Sequence, residues 1–118
     1  MIIRFIKPDA SGASAKLTVH KTGKLGLSKG AMEMIDTARN RFVRFGFDEK
    51  EQLMMEVLDA AKENSFQISK AGEYDYINAK TMVEELGVDY TARNTVIYDI
   101  KKTSEKGIFR LQERIIKK

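Results

Sequence analysis

The residues in this sequence best suited to act on another molecule are basic. Lys21, Lys24, Lys29, Arg39, Arg41 and Arg44 fall in one stretch, and Lys70, Arg110 and Arg114 lie further along. Lys and Arg hold phosphates without sequence-specific geometry, so a surface carrying them can bind a nucleic-acid backbone. The same charges would also serve as a solubilising coat around a small β core. Arg110, Gln112 and Arg114 alternate with Phe109, Leu111 and Ile115, which reads as one strand with a solvent face and an inward face.

Tyr74 and Tyr76 flank Asp75, and Tyr90 follows the next helix. Strand tyrosines can stack on unpaired bases. The expectation here is instead that they fill a barrel core or its rim, with Glu73 and Asp75 repelling phosphate. His20 lies opposite the apolar positions of its strand with no acid nominated as partner, so it is expected at the surface. Glu49 with Glu51, and Glu84 with Glu85, read as solvated charge, because no Asp-rich calcium-loop spacing accompanies them. The chain has no Cys and one His, which excludes disulfides, thiolate chemistry and a polyhistidine metal site within one chain. Phosphate-loop, dinucleotide and nucleophile-elbow motifs are missing as well. No catalytic residue, cofactor or metal is expected.

The elements that must position these residues belong to one domain, 1–118, of ordinary size for a single core. With 42% hydrophobic and 32% charged residues the chain is too apolar to be disordered. It has no apolar run of about 18 residues, so no membrane partner is expected. The segment Met1–Pro8 is too short and too charged for a secretory signal, and a cytoplasmic location is expected. Net charge is +4, unevenly spread: seven basic and two acidic residues lie between Lys16 and Arg44, and eight and three between Arg93 and Lys118. The acids gather in 48–63 and 73–89.

A similar pattern occurs twice, over about 16–58 and 65–116. Leu17 to Ser28 overlies Phe66 to Ile77, matching Lys21 with Lys70, Gly23 with Gly72, and apolar 17, 19, 25 and 27 with 66, 68, 74 and 76. Each copy reads as a strand, a glycine turn, a second strand, a short helix and two further strands. The first helix is expected over 29–37 behind a Ser28 cap, with Met32 and Ile35 buried. The second is expected behind an Asn78 cap, burying Ala79, Met82, Val83 and Leu86 and ending at Gly87-Val88. The closing strands are expected over 42–47, 53–58, 95–100 and 108–115, and an opening strand over 2–7 before a small-residue loop, 9–15. Neither copy alone supplies enough inward positions for a core. The fold class expected is therefore mainly β with two short helices, a small barrel built from two similar ββαββ units.

This order, with Gly23-Lys24-Leu25-Gly26-Leu27-Ser28 in one copy and Gly72-Glu73-Tyr74-Asp75-Tyr76-Ile77 in the other, resembles the AbrB/MraZ-type swapped-hairpin DNA-binding domain over most of the chain. Double-psi barrels share a similar order and are not separated from it. The resemblance implies a single-chain pseudo-dimer with interleaved hairpins, and transcriptional regulation or antitoxin-like binding of double-stranded DNA. Lys24 matches the family's basic residue after the turn glycine, flanked by Lys21 or Lys70. Glu73 replaces it in the second copy, and Met32 and Glu33 stand where the family's helix is often basic, so one basic half is expected rather than two. The alternative is a protein–protein or assembly module, including a homodimer.

Overall fold

The computed structural model describes residues 1–3, 14–88 and 95–116. The elements run β1 (Lys16–Val19), β2 (Lys24–Leu27), α1 (Lys29–Ile35), β3 (Phe42–Phe47), β4 (Leu53–Leu58), β5 (Phe66–Ala71), β6 (Tyr74–Asn78), α2 (Lys80–Glu85), β7 (Thr95–Lys102) and β8 (Ile108–Ile116). The strands close into an antiparallel barrel in the order β1-β2-β6-β5-β3-β4-β8-β7, with β7 returning to β1 through Leu17 opposite Tyr98. Closure gives each strand two neighbours, which removes the open edges of a flat sheet.

Around this barrel the hairpins alternate between the two halves of the chain: β1-β2, then β6-β5, then β3-β4, then β8-β7. Exchanging β1 with β5, β2 with β6, β3 with β7 and β4 with β8 leaves every neighbour relation unchanged. Two pairs lie on the axis of that exchange, β2 with β6 and β4 with β8. The interior is correspondingly shared. Leu17, Leu25, Val43 and Met55 from the first half meet Ile68, Ile77 and Val83 from the second, all fully buried. Each side chain buried in this way is worth about 1.5–3 kcal/mol, and neither half encloses its own set.

The two opening hairpins differ by their turns. In β1–β2 the Gly23 N–H donates to the His20 carbonyl (2.9 Å) and the His20 N–H to the Lys24 carbonyl (2.8 Å), with Gly23 at φ 84. That is a type I turn followed by a left-handed glycine that forms a bulge. In β5–β6 only Gly72 (φ 66) and Glu73 connect the paired residues Ala71 and Tyr74. After the bulged turn, residues an even number apart share a face; after the two-residue turn, residues an odd number apart do. Leu25 and Leu27 therefore point inward, but so do Asp75 and Ile77, while Tyr74 and Tyr76 point out. The alignment of 74 and 76 with 25 and 27 is overturned, and of the core or rim positions expected for the two tyrosines the core is ruled out, Tyr74 being exposed and Tyr76 half-buried.

Ser28 caps α1 as expected, its Oγ accepting the Ala31 N–H at 3.1 Å. The helix ends at Ile35 rather than Thr37, because Asp36 turns left-handed (φ 52) and the N–H groups of Asp36 and Thr37 return to the carbonyls of Glu33 and Met32. Ile35 is buried and Met32 only half-buried. Asn78 does not cap α2: it ends β6, and Ala79 starts the helix with no side-chain bond. Gly87 (φ 70) and Val88 close α2 with the same pair of bonds that closes α1, to Glu84 and Val83. Strands β7 and β8 run past the expected ends, and Ile115, expected inward, is 50% exposed. Residues 1–3 hold no strand, and the remainder of the expected opening strand, with Tyr90, lies outside the described residues.

Candidate nucleic-acid interface

The outer faces of β1, β2 and β6 form a groove of about 500 Å³ lined by Lys16, Thr18, His20, Lys24, Gly26, Tyr74 and Tyr76, among others. Its floor follows from the register. Thr18 lies opposite Gly26 across β1–β2, and Gly26 lies opposite Tyr76 across β2–β6. A row of outward side chains is thus interrupted at Gly26, where only backbone remains. A Cβ there would collide with Nε2 of His20, so the imidazole leans from the hairpin turn over the gap. Lys24 places its Nζ 4.8 Å from the centroid of the Tyr76 ring, a cation–π contact that fixes both side chains. Tyr74, next along the same face, is 67% exposed. Ser28 ties the lower end together, accepting the Lys16 N–H (3.0 Å) and donating to the Ser14 carbonyl (2.8 Å).

Asp75, between the two tyrosines, does not face this groove's solvent. It is a buried carboxylate, 4% exposed, held by Nη1 of Arg41 at 3.1 Å. The same guanidinium donates to the carbonyls of Thr37 (3.1 Å) and Ile68 (2.7 Å). Arg41 therefore closes a polar junction between the loop after α1 and strands β5 and β6. Its charge is spent on the fold, and one of the two acids expected to repel phosphate is neutralised.

The nine basic residues expected to bind do not make one face. Lys24 lines the groove, Lys21 sits in the turn beside His20, and Lys29 follows Ser28. Lys70 is exposed on β5, where its register partner is Asp75. Arg39 lies in a separate cavity of about 450 Å³ with Asp36, Asp59 and Lys106. Arg44, three strands from β2 around the barrel, is paired with Glu56, Nε to Oε1 at 2.8 Å. Arg110 and Arg114 are on β8, and Arg114 grips both oxygens of Asp99 at 3.0 and 3.1 Å. Those hydrogen bonds hold the Asp99 carboxyl below its ordinary range and raise the Arg114 guanidinium. Three of the nine are thus engaged in ion pairs. Lys16, missed in the sequence, joins the groove because its alternation with Leu17 sets it outward, a signal that β1 did carry.

No family model, curated protein or solved structure matches this chain. Among the described residues no group of three or more His, Asp or Glu side chains is arranged to hold a metal ion. Among the described residues no helix is long and apolar enough to cross a membrane. The groove offers cations, aromatic faces, hydroxyls and one imidazole, a set suited to recognition.

Proposed function

We propose that this protein is a non-enzymatic nucleic-acid-binding protein that holds phosphates on the outer face of the β1–β2 hairpin. One observation carries the reading: Lys16 and Lys24 line one groove, Lys21 and Lys29 adjoin its lining residues His20 and Ser28 in sequence, and among the described residues no ion pair engages any of the four, Lys16 standing across from an Asp99 that Arg114 already holds. Unpaired surface lysines release counterions on binding, whereas the paired Arg41, Arg44 and Arg114 would first have to give up their carboxylates. The resemblance makes double-stranded DNA the expected partner and a regulatory role the expected context; the cytoplasm is the expected location because Met1–Pro8 does not read as a secretory signal. The interleaved hairpins support that reading of the fold.

About four phosphates neutralised give a log–log slope of about −3.6, so affinity should drop by about 150-fold between 50 and 200 mM salt. Fluorescence anisotropy with a labelled duplex measures this directly. Affinity at low salt no better than that of an acidic control protein refutes the proposal. Exposed Phe47, Ile115 and Ile116 favour a second reading, an assembly module or homodimer. Lys21→Glu with Lys24→Glu separates the two. Lost nucleic-acid binding at unchanged mass supports the first; a changed oligomeric mass with no nucleic-acid effect supports the second.

A further inference from the structure

We infer that the groove over Gly26 seats an unpaired base, so that single-stranded nucleic acid is bound more tightly than a duplex of equal charge. The inference rests on the proposed nucleic-acid reading and adds to it what the groove itself recognises. A paired base keeps its faces inside the helical stack and can offer this surface only phosphates. An unpaired base has a free face, and the groove supplies what such a face needs. Gly26 leaves no side chain between Thr18 and Tyr76, the His20 imidazole packs over its backbone as a ring on which a base can stack, the exposed Tyr74 ring provides an aromatic wall, and Tyr76 carries Lys24 on its face. Lys16 and Lys24 line the same groove and can take the flanking phosphates of the strand that carries the base. Asp75 does not oppose them, because Arg41 holds it inside the barrel. The Thr18 hydroxyl and the His20 imidazole can meet base edges without demanding one base.

The charge pattern favours this occupant over an apolar peptide. Two lysines and a histidine line the groove, and the one carboxylate in its lining is buried and paired. Stacking on tyrosine is sequence-tolerant, and each stacked base strengthens binding by roughly 5- to 100-fold.

The test compares three labelled probes with equal phosphate count: an oligodeoxythymidine, an abasic oligomer and a duplex. The oligodeoxythymidine should bind about 5- to 100-fold more tightly than the other two. Gly26→Val fills the floor at a strand position that tolerates a β-branched side chain, displacing only the end of an exposed histidine. Tyr74→Leu removes an exposed ring without touching the core. Either variant should narrow the gap between probes by weakening the oligodeoxythymidine more than the duplex, and should leave the salt slope unchanged because no lysine is removed. Equal binding of all three probes by the natural chain overturns the inference while leaving the proposed function standing. So does equal weakening of all three by the variants. Failure of every probe to bind better than to an acidic control protein overturns the proposed function, and this inference with it.

Discussion

Replacing Arg41 by Met tests how the two halves of the barrel are held together. The guanidinium makes three hydrogen bonds, to Asp75 and to the carbonyls of Thr37 and Ile68. Methionine keeps much of the apolar stem and removes all three donors. What remains is a carboxylate only 4% exposed that has lost its ion-pair partner. Breaking a buried pair in this way costs about 3–5 kcal/mol, a large part of the 5–15 kcal/mol typical of a whole domain. The Arg114–Asp99 pair is the internal control, since its side chains are 47% and 22% exposed. Solvent screens an exposed pair, so Arg114→Met should barely move the unfolding midpoint. Urea denaturation of both variants reads the difference, with an unchanged m-value showing that the same surface is exposed on unfolding. Arg41→Met combined with Asp75→Leu should recover most of the loss, because an apolar replacement leaves no buried charge behind. If Arg41→Met costs no more than Arg114→Met, the junction is not what holds β5 and β6 to the loop after α1.

Tyr98 is buried and donates to Oε2 of Glu113 at 3.2 Å; burial first, and the Glu113 charge second, push its phenol well above the ordinary 10.0. Because the unfolded chain loses that proton at lower pH than the folded one, this stability is complete below pH 10 and falls above it by about 1.4 kcal/mol per pH unit. Tyr98→Phe should flatten the alkaline limb of a stability–pH curve, and an unchanged limb would contradict the assignment. Gly72→Ala should destabilise by about 1–2 kcal/mol, since its φ of 66 suits glycine. Gly46→Ala, on an exposed strand position with nothing within 4 Å of the added Cβ, should be neutral or stabilising by about 0.5 kcal/mol. Thermal melts of the two variants give the comparison. Asp99→Asn should cost little at neutral pH. Any stability that its lowered carboxyl pKa contributes is present above the unfolded value and disappears as pH falls through the folded one.

Much of the barrel was legible because alternation is a local property. The bounds of β3 and β4 match the apolar runs 42–47 and 53–58 residue for residue, and Gly87-Val88 announced the end of α2. Phase across a turn is not local in the same way. Lys21-x-Gly23 and Lys70-x-Gly72 look alike, yet one glycine forms a bulge and the other opens a two-residue turn, so the tyrosines emerge where Leu25 and Leu27 are buried. The inward Asp75 depends on an arginine 34 residues away, which no window of sequence around the tyrosines contains. The groove depends on which strands become neighbours. Gly26 read as one more residue in an apolar alternation until β6 brought Tyr76 opposite it. The charge of Arg44 and Arg114 was visible; their partners Glu56 and Asp99, set by cross-strand pairing, were not.

The most direct test of the binding account is an amide chemical-shift titration of the isotope-labelled protein with a short single strand. The largest changes should fall on Lys16, Thr18, Lys24, Gly26, Tyr74 and Tyr76, and weaken together as salt is added. Changes centred instead on Arg44, Arg110 and Arg114 across the barrel, or none at all, would contradict it.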